Sequence, residues 1–331
     1  MPETFKAFVL DQKEGRLSGQ VLDQSPDSLP SNDVTIAVEY SSLNYKDGLA
    51  VTGTGKIIRQ FPMIPGIDLA GTVEHSHCGA WQPGDRVVLT GWGTGERYPG
   101  GFTQKARAKS EWLVKIPDAL STKQAMSIGT AGFTAMLCVL ALEHQGLAPG
   151  SGEVVVTGAA GGVGSVAVAI LAKLGYKVTA STGRAETHDY LRSLGASEIV
   201  DRSVLGDVSK KPLEAERWTA AVDSVGGTTL INLLKTMQYG GSVAACGLAG
   251  GADLATTVFP FILRGVNLLG IDSVQCRMPK REQAWTRLAA DLSPAQMDHM
   301  TRVISLSEVE RYSKEILVGK IQGRTVVDVN A

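Results

Sequence analysis

One stretch, Gly152–Gly183, constrains the fold more than any other part of this chain. It predicts a strand, a glycine-rich turn, a helix and a second strand, in the order Glu153–Thr157, Gly158–Gly164, Ser165–Leu174 and Lys177–Ser181. A short β-branched run is typical of a strand buried in a parallel sheet, and a glycine such as Gly175 commonly follows the end of a helix. The stretch therefore predicts one right-handed βαβ unit.

The turn of this unit indicates a dinucleotide site. Ala159 occupies the first position of the G-x-G-x-x-G pattern, and Gly161 and Gly164 occupy the second and third. Gly161 lets the backbone approach a pyrophosphate, and Gly164 lets the helix lie close to the strand. Because the turn leaves a strand and opens a helix, we favour phosphate binding over an ordinary tight turn.

The end of the second strand selects the coenzyme. An NAD site usually has a carboxylate there, about 20 residues beyond the turn, to bind the ribose 2′-OH. This chain has Ser181-Thr182-Gly183-Arg184, and its first carboxylate is Glu186. Hydroxyl and guanidinium groups bind a 2′-phosphate, which a carboxylate would repel, so the segment predicts NADP(H). The alternative is that Arg184 is a solvated residue at a helix start.

The flanking segments predict a two-domain α/β protein. Before residue 120 the strand-like runs are separated by Gly and Pro, which predicts a partly closed β-barrel from Phe5–Leu10, Gly19–Leu22, Val34–Tyr40, Gly71–Glu74, Arg86–Thr90 and Trp112–Lys115. Strands then alternate with helices at Glu198–Asp201, Ala220–Val225, Ser242–Cys246 and Asn267–Val274, which predicts a doubly wound parallel sheet.

We place the domains at 1–122, completed by 276–331, and at 123–275. Helices are expected at Ala125–Glu143, His188–Leu194, Thr228–Met237 and Ser305–Val318, and a last strand at Thr325–Val329. Within the first of these helices, the small residues Gly129–Ala135 allow close approach of either a neighbouring strand or a coenzyme.

Charge and cysteine usage exclude several classes of function. The 331 residues include 32 basic and 33 acidic side chains, a net charge of −1, which favours neither nucleic-acid nor membrane binding. The four cysteines are far apart and predict reduced thiols. The N-terminal residues show no secretion signal, and no uninterrupted apolar run approaches about 18 residues, so we expect a cytoplasmic protein.

A catalytic metal is not expected. The polar segment Ser41–Asp47 and the segment Pro65–Asp68 contain no Cys or His, the residues that a zinc-dependent alcohol dehydrogenase uses. The cluster His75-Ser76-His77-Cys78 lies within four residues and has no distant partner, so we read it as a surface loop in preference to a metal site.

Several motifs together resemble one known family. They are Asn44–Asp47, Phe61–Asp68, Gly129–Met136, Thr157–Gly164 and Gly240–Gly251. Over nearly the whole chain they resemble the zinc-independent quinone oxidoreductase branch of the medium-chain dehydrogenase/reductase superfamily, and within it the members that reduce acryloyl-CoA. The resemblance implies a GroES-like β-barrel catalytic domain and a Rossmann domain that binds NADP.

The resemblance also implies roles for individual residues. Tyr45 would lie at the nicotinamide, Arg202 near the adenosine and Arg324 against the diphosphate. The pyrophosphate would be held by Ala160, Gly161, Gly162 and Val163, the 2′-phosphate by Ser181, Thr182 and Arg184, and the nicotinamide half by Leu248, Ile262 and Ser273. Leu248 and Ile262 could equally be core residues, and Arg202 could be a solvated charge.

The implied reaction is reduction of the C=C bond of a short α,β-unsaturated acyl-CoA, with acryloyl-CoA to propanoyl-CoA as the specific expectation. Hydride adds to the β carbon and a proton to the α carbon. Tyr45 is our candidate proton donor or orienting group, because phenols ionise near pH 10 and are protonated at neutral pH. Asn44 and Asp47 are candidates for fixing this loop. The alternatives are reduction of quinones or enones, and NADPH binding without catalysis.

Two further expectations concern partners. A CoA ester carries phosphates, and the candidate cations for these are Lys56, Arg59, Arg264, Arg277, Lys280 and Arg281. The alternative, which we favour for any single one of them, is a solvated surface charge. The last predicted sheet strand, Asn267–Val274, would be an exposed apolar edge in a monomer, which is a liability. Pairing of two such edges across a two-fold axis would cover them, so we expect a homodimer.

Overall fold

A computed structural model describes residues 4–207 and 210–331. The chain forms two compact units. The first contains the described part of Met1–Thr130 with Ser273–Ala289 and Met297–Ala331, and the second contains the described part of Ala131–Asp272 with Ala290–Gln296. The domain limits expected from the sequence, after residues 122 and 275, stay a prediction.

The strands are numbered along the chain. They are β1 (Phe5–Lys13), β2 (Arg16–Gln24), β3 (Val34–Leu43), β4 (Asp68–Ser76), β5 (Arg86–Thr90), β6 (Lys105–Ala108), β7 (Val114–Lys115), β8 (Glu153–Val156), β9 (Lys177–Thr182), β10 (Glu198–Asp201), β11 (Trp218–Asp223), β12 (Met237–Ala245), β13 (Asn267–Gly270), β14 (Thr301–Ser305) and β15 (Arg324–Asp328).

The α-helices are numbered in the same way. They are α1 (Tyr45–Thr52), α2 (Thr122–His144), α3 (Gly162–Lys173), α4 (His188–Ser193), α5 (Gly227–Thr236), α6 (Phe259–Arg264), α7 (Met278–Asp291), α8 (Pro294–Met300) and α9 (Val309–Leu317).

The first unit is built on a seven-stranded sheet. Its strand order is β14-β15-β3-β4-β5-β7, with β6 paired to β3, and β1 and β2 form a separate antiparallel hairpin. Buried apolar side chains, among them Ile36, Leu69, Leu89 and Phe102, form its core. The predicted GroES-like fold is confirmed for this part of the chain. The strand β15 completes it from the far end of the sequence, because β15 pairs with β3.

The second unit is built on a six-stranded parallel sheet in the order β10-β9-β8-β11-β12-β13. Every neighbouring pair in it is parallel. The chain runs outward from β8 to β10 and then returns to β11 on the other side, the doubly wound order in which ligands bind where the direction reverses. The Rossmann fold predicted from Gly152–Gly183 is confirmed.

Some elements were not predicted. The helix α1 begins inside the segment that the sequence suggested was only a polar loop, and α6, α7, α8, β6 and β14 were missed. The first helix of the Rossmann unit begins at Gly162, three residues before the predicted Ser165. Five of the six missed elements have four to eight residues, too few for an apolar period to stand out.

The helix α2 shows how composition can mislead. By length and composition it could cross a bilayer, although no apolar run of this length was expected from the sequence. In its most apolar 18-residue stretch, however, 89% of the residues are buried inside the protein. It is therefore a core helix. Its backbone is interrupted at Gly129, whose φ of 51° and ψ of −161° are not helical.

Candidate active site and coenzyme site

The motif Asn44–Asp47 is the first turn of α1. The strand β3 ends at Leu43, and Asn44 occupies the N-cap position with an extended backbone (φ −117°). The Asp47 carboxylate then accepts the N–H of Asn44 at 2.8 Å, so it satisfies a donor that the start of a helix leaves without a partner. Tyr45 is thereby placed at the N-terminus of the helix.

A buried carboxylate lies behind this turn. Asp68, the first residue of β4, is fully buried and accepts four hydrogen bonds. Ser42 Oγ donates at 2.5 Å, Asn44 Nδ2 at 2.8 Å, and Thr130 donates both its N–H, at 2.8 Å, and its hydroxyl. The four donors come from three residues in two segments of the chain, so Asp68 fixes the junction of β3 and α1 to the middle of α2.

Arg324 closes the same network. Because Thr325 of β15 is opposite Leu43 of β3, Arg324 stands beside Asn44. Its buried guanidinium donates to Asn44 Oδ1 at 3.3 Å and to Ser42 Oγ at 2.9 Å. We call Ser42, Asn44, Asp68, Thr130 and Arg324 the polar network. The expected contact of Arg324 with a diphosphate stays a prediction.

Gly129 is required by the polar network. A Cβ at this position would lie 2.5 Å from Ser42 Oγ, 2.6 Å from Arg324 Nη2 and 2.7 Å from Asp68 Oδ2. No side chain fits there, and the left-handed φ also favours glycine. The glycine at the start of the small-residue segment therefore serves close packing within the first unit.

Asp47 is the titratable group with an altered proton affinity in this region. Burial, and then the neighbouring charge of Asp68, raise its pKa to about 7, although the N–H groups of Asn44 and Ile67 oppose the shift. The N–H of Ile67 donates to Asp47 Oδ1 at 3.0 Å, which joins the first turn of α1 to the segment before β4. Asp47 thus braces the turn, as the sequence suggested for a loop-fixing residue.

Tyr45 is the group of this turn that faces solvent. Its side chain is 38% exposed, while Asn44 and Asp47 are buried. No residue among 4–207 and 210–331 forms a hydrogen bond with the Tyr45 hydroxyl. The next residue, Lys46, forms an ion pair with Glu96 at 2.7 Å. Of the three candidates, the phenol is thus the group that is open to solvent.

The glycine-rich turn has the geometry of a phosphate site. Gly161 is the N-cap of α3, and Gly162 and Val163 are in its first turn, where backbone N–H groups have no partner within the helix. A Cβ on Gly164 would lie 2.6 Å from Ala159 Cα, so glycine is needed for close packing of helix and strand. Ala160 is buried beside them.

Around Gly183 the structure brings together two arginines from different segments. Arg184 Nη2 donates to the carbonyl of Ala160 at 3.4 Å, so its side chain reaches back to the glycine-rich turn. The side chain of Arg202 packs over Gly183, with its Cδ 2.5 Å from where a Cβ would be. The two guanidinium groups flank the end of β9, the position expected for a 2′-phosphate.

The hydroxyls at this edge are less available than the sequence suggested. Ser181 and Thr182 are both buried. Thr182 Oγ1 accepts the N–H of Arg184 at 3.2 Å and is hydrogen-bonded to Thr187 Oγ1. Thr182 therefore shapes the turn, and direct contact of either hydroxyl with a phosphate stays a prediction.

A carboxylate that the sequence reasoning missed lies on the neighbouring strand. Asp201 of β10 is in register with Thr182. It accepts the N–H of Ser203 at 2.8 Å, and hydrogen bonds with Ser203 lower its pKa, with a smaller contribution from Arg202. Because this carboxylate is turned into its own loop and faces a cation, its repulsion of a phosphate is reduced.

The residues expected at the nicotinamide half are not core residues. Leu248 is 59% exposed and Ile262 is 67% exposed, so the core-packing alternative is wrong for both. Ser273 lies in the first unit, where its carbonyl accepts from Arg281 Nη2 at 3.0 Å. Their contact with nicotinamide stays a prediction.

Two of the six cations proposed for CoA phosphates are corrected. Arg281 is fully buried and donates to the carbonyl and hydroxyl of Thr90. Arg264 donates to the carbonyls of Lys235, Met237 and Glu214. Both guanidinium groups hold backbone segments together, which the sequence alone does not reveal. Lys56, Arg59, Arg277 and Lys280 are exposed and stay candidates.

The histidine cluster is at the surface end of β4. His75 and His77 are exposed, and their ring centroids are 4.4 Å apart. In the described part of the chain no group of three metal-ligating side chains is brought together. The four cysteines are free thiols.

The sequence reasoning missed most of the polar network. Asn44 and Arg324 were singled out, whereas Ser42, Asp68 and Thr130 were not. One signal was present: Asp68 precedes the apolar run Leu69-Ala70, and a carboxylate at the start of a buried strand must find donors.

Comparison with known proteins supports both halves of this description. Residues 30–118 match the family model of the alcohol dehydrogenase GroES-like domain, and residues 162–291 match that of the zinc-binding dehydrogenases. The chain is 55% identical to acrylyl-CoA reductase AcuI of Ruegeria pomeroyi, over 99% of this chain and 100% of that protein.

Two solved structures are also similar to this chain in fold and sequence. A crystal structure of Escherichia coli K-12 YhdH with bound NADPH is 53% identical and covers 98% of this chain and 100% of its own, with a TM-score of 0.96. A crystal structure of Bacillus subtilis YhfP with NAD bound is 47% identical and covers 99% of this chain and 100% of its own, with a TM-score of 0.95.

The arginine at the end of β9 allows a direct test of coenzyme choice. We expect Arg184→Ala to weaken NADPH binding by about 10- to 100-fold, since a charge-assisted hydrogen bond contributes about 1.5–3 kcal/mol. NADH affinity should change by less than about two-fold. Titration calorimetry with both coenzymes measures this, and Arg192→Ala, an exposed arginine of the same unit, is the control. Equal losses for NADPH and NADH would rule out the 2′-phosphate role.

The raised pKa of Asp47 predicts a pH dependence of stability. The folded state holds this proton up to about pH 7, whereas the unfolded chain releases it near pH 4, so the group's contribution is complete below pH 4 and is lost as pH rises to 7. Between pH 5 and 7 the loss is about 2 kcal/mol. In urea unfolding, the free energy of unfolding of the wild type should fall over this range by about 2 kcal/mol more than that of Asp47→Asn, whose side chain does not titrate. Parallel profiles would contradict the shift.

Proposed function

Because this chain belongs to the medium-chain dehydrogenase/reductase superfamily, with a GroES-like and a zinc-binding-dehydrogenase-type domain, we propose that it reduces acryloyl-CoA to propanoyl-CoA with NADPH. The observation that carries this proposal is the full-length likeness to an acrylyl-CoA reductase. The coenzyme is NADPH, in agreement with the two arginines at the end of β9.

The chemistry requires a hydride, a proton and a stabilised oxyanion. NADPH, which the glycine-rich turn at Gly161–Val163 and Arg184 would hold, would supply the hydride for the β carbon of the acyl group, and the electron pair of the C=C bond would move onto the thioester as an enolate. Hydrogen-bond donors must face the developing oxyanion, and a proton must reach the α carbon. A metal is not needed for these steps.

We assign the orienting or proton-donating role to Tyr45. Its phenol is partly exposed at the N-terminus of α1, where the helix dipole favours negative charge nearby. Asn44 and Asp47 hold the turn through their hydrogen bonds with each other, and Asn44 also with Asp68. Their roles are therefore to position Tyr45.

A single substitution tests the role of Tyr45. Tyr45→Phe should lower kcat with acryloyl-CoA by about 100-fold, because a positioned proton donor contributes about 10²–10⁴-fold. NADPH affinity should stay within about two-fold of the wild type. Tyr239→Phe removes an exposed phenol of the second unit and serves as the control. If kcat of Tyr45→Phe equals that of the wild type, Tyr45 has no part in the reaction.

A substrate panel separates the remaining alternatives. With NADPH as reductant, we expect acryloyl-CoA to be reduced with a kcat/KM well above that for free acrylate or benzoquinone. A higher value for benzoquinone would favour a quinone or enone reductase. Tight NADPH binding without oxidation by any of these acceptors would mean that the protein binds NADPH without catalysis.

We also propose that the enzyme is a cytoplasmic homodimer. The strand β13 is at an edge of its sheet, with β12 as its one neighbour among the described strands. Near it, Val258, at the start of α6, and Leu263 are 62% and 56% exposed. An edge strand beside exposed apolar side chains is suited to two-fold pairing. Light scattering of the purified protein should give about twice the mass of one chain, and a monomeric mass would exclude the dimer.

A further inference from the structure

The loop after β5 contains a tryptophan in a costly conformation. Trp92 has a φ of 57°, in the left-handed region that bulky residues rarely adopt. Such a conformation is unfavourable and persists only where the surroundings hold it, which is common at ligand-binding positions.

Two contacts hold Trp92 in place. Its N–H donates to the carbonyl of Val274 at 3.2 Å. The guanidinium of Arg281 lies over its ring, 5.0 Å from the centroid. Arg281 is itself fixed, because it donates to Thr90 Oγ1 at 2.7 Å and to the carbonyl of Ser273 at 3.0 Å. A fully buried cation thus supports one face of the indole ring.

The loop that contains Trp92 contacts the neighbours of two residues that the family resemblance places at the nicotinamide, Tyr45 and Ser273. Glu96 of the loop forms the ion pair with Lys46, next to Tyr45. A Cβ on Gly91, the residue before Trp92, would lie 3.0 Å from Val274 Cα and 3.2 Å from the carbonyl oxygen of Ser273. The loop of Trp92 therefore joins the Tyr45 turn to the Ser273 segment within the first unit.

The indole ring of Trp92 contributes its size and rigidity, not a hydrogen bond. Its Nε1 is buried, and within residues 4–207 and 210–331 it has no hydrogen-bond acceptor. A purely structural position would be filled at lower cost by an apolar side chain, because a buried N–H without a partner is unfavourable. A large rigid wall is the property that tryptophan adds here.

Resting on the proposed function, we propose that Trp92 determines acyl-chain length by blocking substituents on the β carbon of the substrate. The acryloyl group ends at the carbon that receives the hydride. A further methyl group on that carbon needs additional space beside the reacting carbon, and the proposal assigns the wall of that space to the Trp92 ring. The substrate class is thus acyl thioesters with an unsubstituted β carbon.

The test compares acryloyl-CoA with crotonyl-CoA, which carries one more methyl group. We expect the wild type to favour acryloyl-CoA by at least about 10-fold in kcat/KM, since one methylene in a pocket is discriminated by about 10- to 200-fold. Trp92→Phe and Trp92→Leu should each reduce this preference by about 10-fold, mainly through gain on crotonyl-CoA. Trp81→Phe, a partly buried tryptophan packed on the same core, is the matched control.

Two results would overturn the proposal. One is an unchanged preference in Trp92 variants that bind NADPH as the wild type does. The other is an equal shift in Trp81→Phe. If the wild type does not reduce acryloyl-CoA, the proposed function is what fails, and the same ratio measured with but-3-en-2-one and pent-3-en-2-one then decides the role of Trp92.

Arg281 acts through Trp92 as a positioning residue. Arg281→Lys keeps the charge but loses the planar group that supports the ring, and we expect it to shift the acyl preference in the same direction. The double variant with Trp92→Phe should shift it no further than Trp92→Phe alone. Additive shifts would show that Arg281 does not act through the ring.

Discussion

The buried carboxylate of Asp68 is the constraint on which the first unit depends. A carboxylate without water costs several kcal/mol unless donors satisfy its oxygens, and here Ser42, Asn44 and Thr130 supply four. These donors belong to the end of β3, the start of α1 and the interruption of α2. Three of the donors converge on Asp68 Oδ2 and the Thr130 hydroxyl donates to Oδ1, so loss of any of them weakens the stabilisation of a buried charge.

In the second unit, small residues hold the glycine-rich turn together, whereas a buried charge does this for the Tyr45 turn of the first unit. Gly164 packs on Ala159, and Gly161 begins the helix whose free N–H groups suit a pyrophosphate. Two arginines lie at the end of β9, where Arg184 reaches the turn and Arg202 covers Gly183. The free backbone N–H groups suit the pyrophosphate that all dinucleotides share, and the role proposed for Arg184 is recognition of the phosphorylated ribose.

Local patterns predicted the second unit well and the first unit only in outline. The limits of β10 agree with the predicted ones, and those of β8 agree to within one residue, because β-branched runs between clear breakers have a simple signal. The helix α1 was missed, since its first turn is polar and is held by Asp68 and by Arg324, 280 residues away from Asn44. Arg281 looked like a surface cation, and only the fold shows that it is enclosed beside Trp92. Long-range partners of polar residues leave no periodic trace in a sequence.

The most direct measurement is the free energy of unfolding of Asp68→Asn together with its turnover of acryloyl-CoA. If the buried carboxylate organises the Tyr45 turn, unfolding should be easier by about 3–5 kcal/mol, as for other broken buried charge networks, and kcat should fall at least about 10-fold. A variant with the stability and kcat of the wild type would contradict the central role given to Asp68.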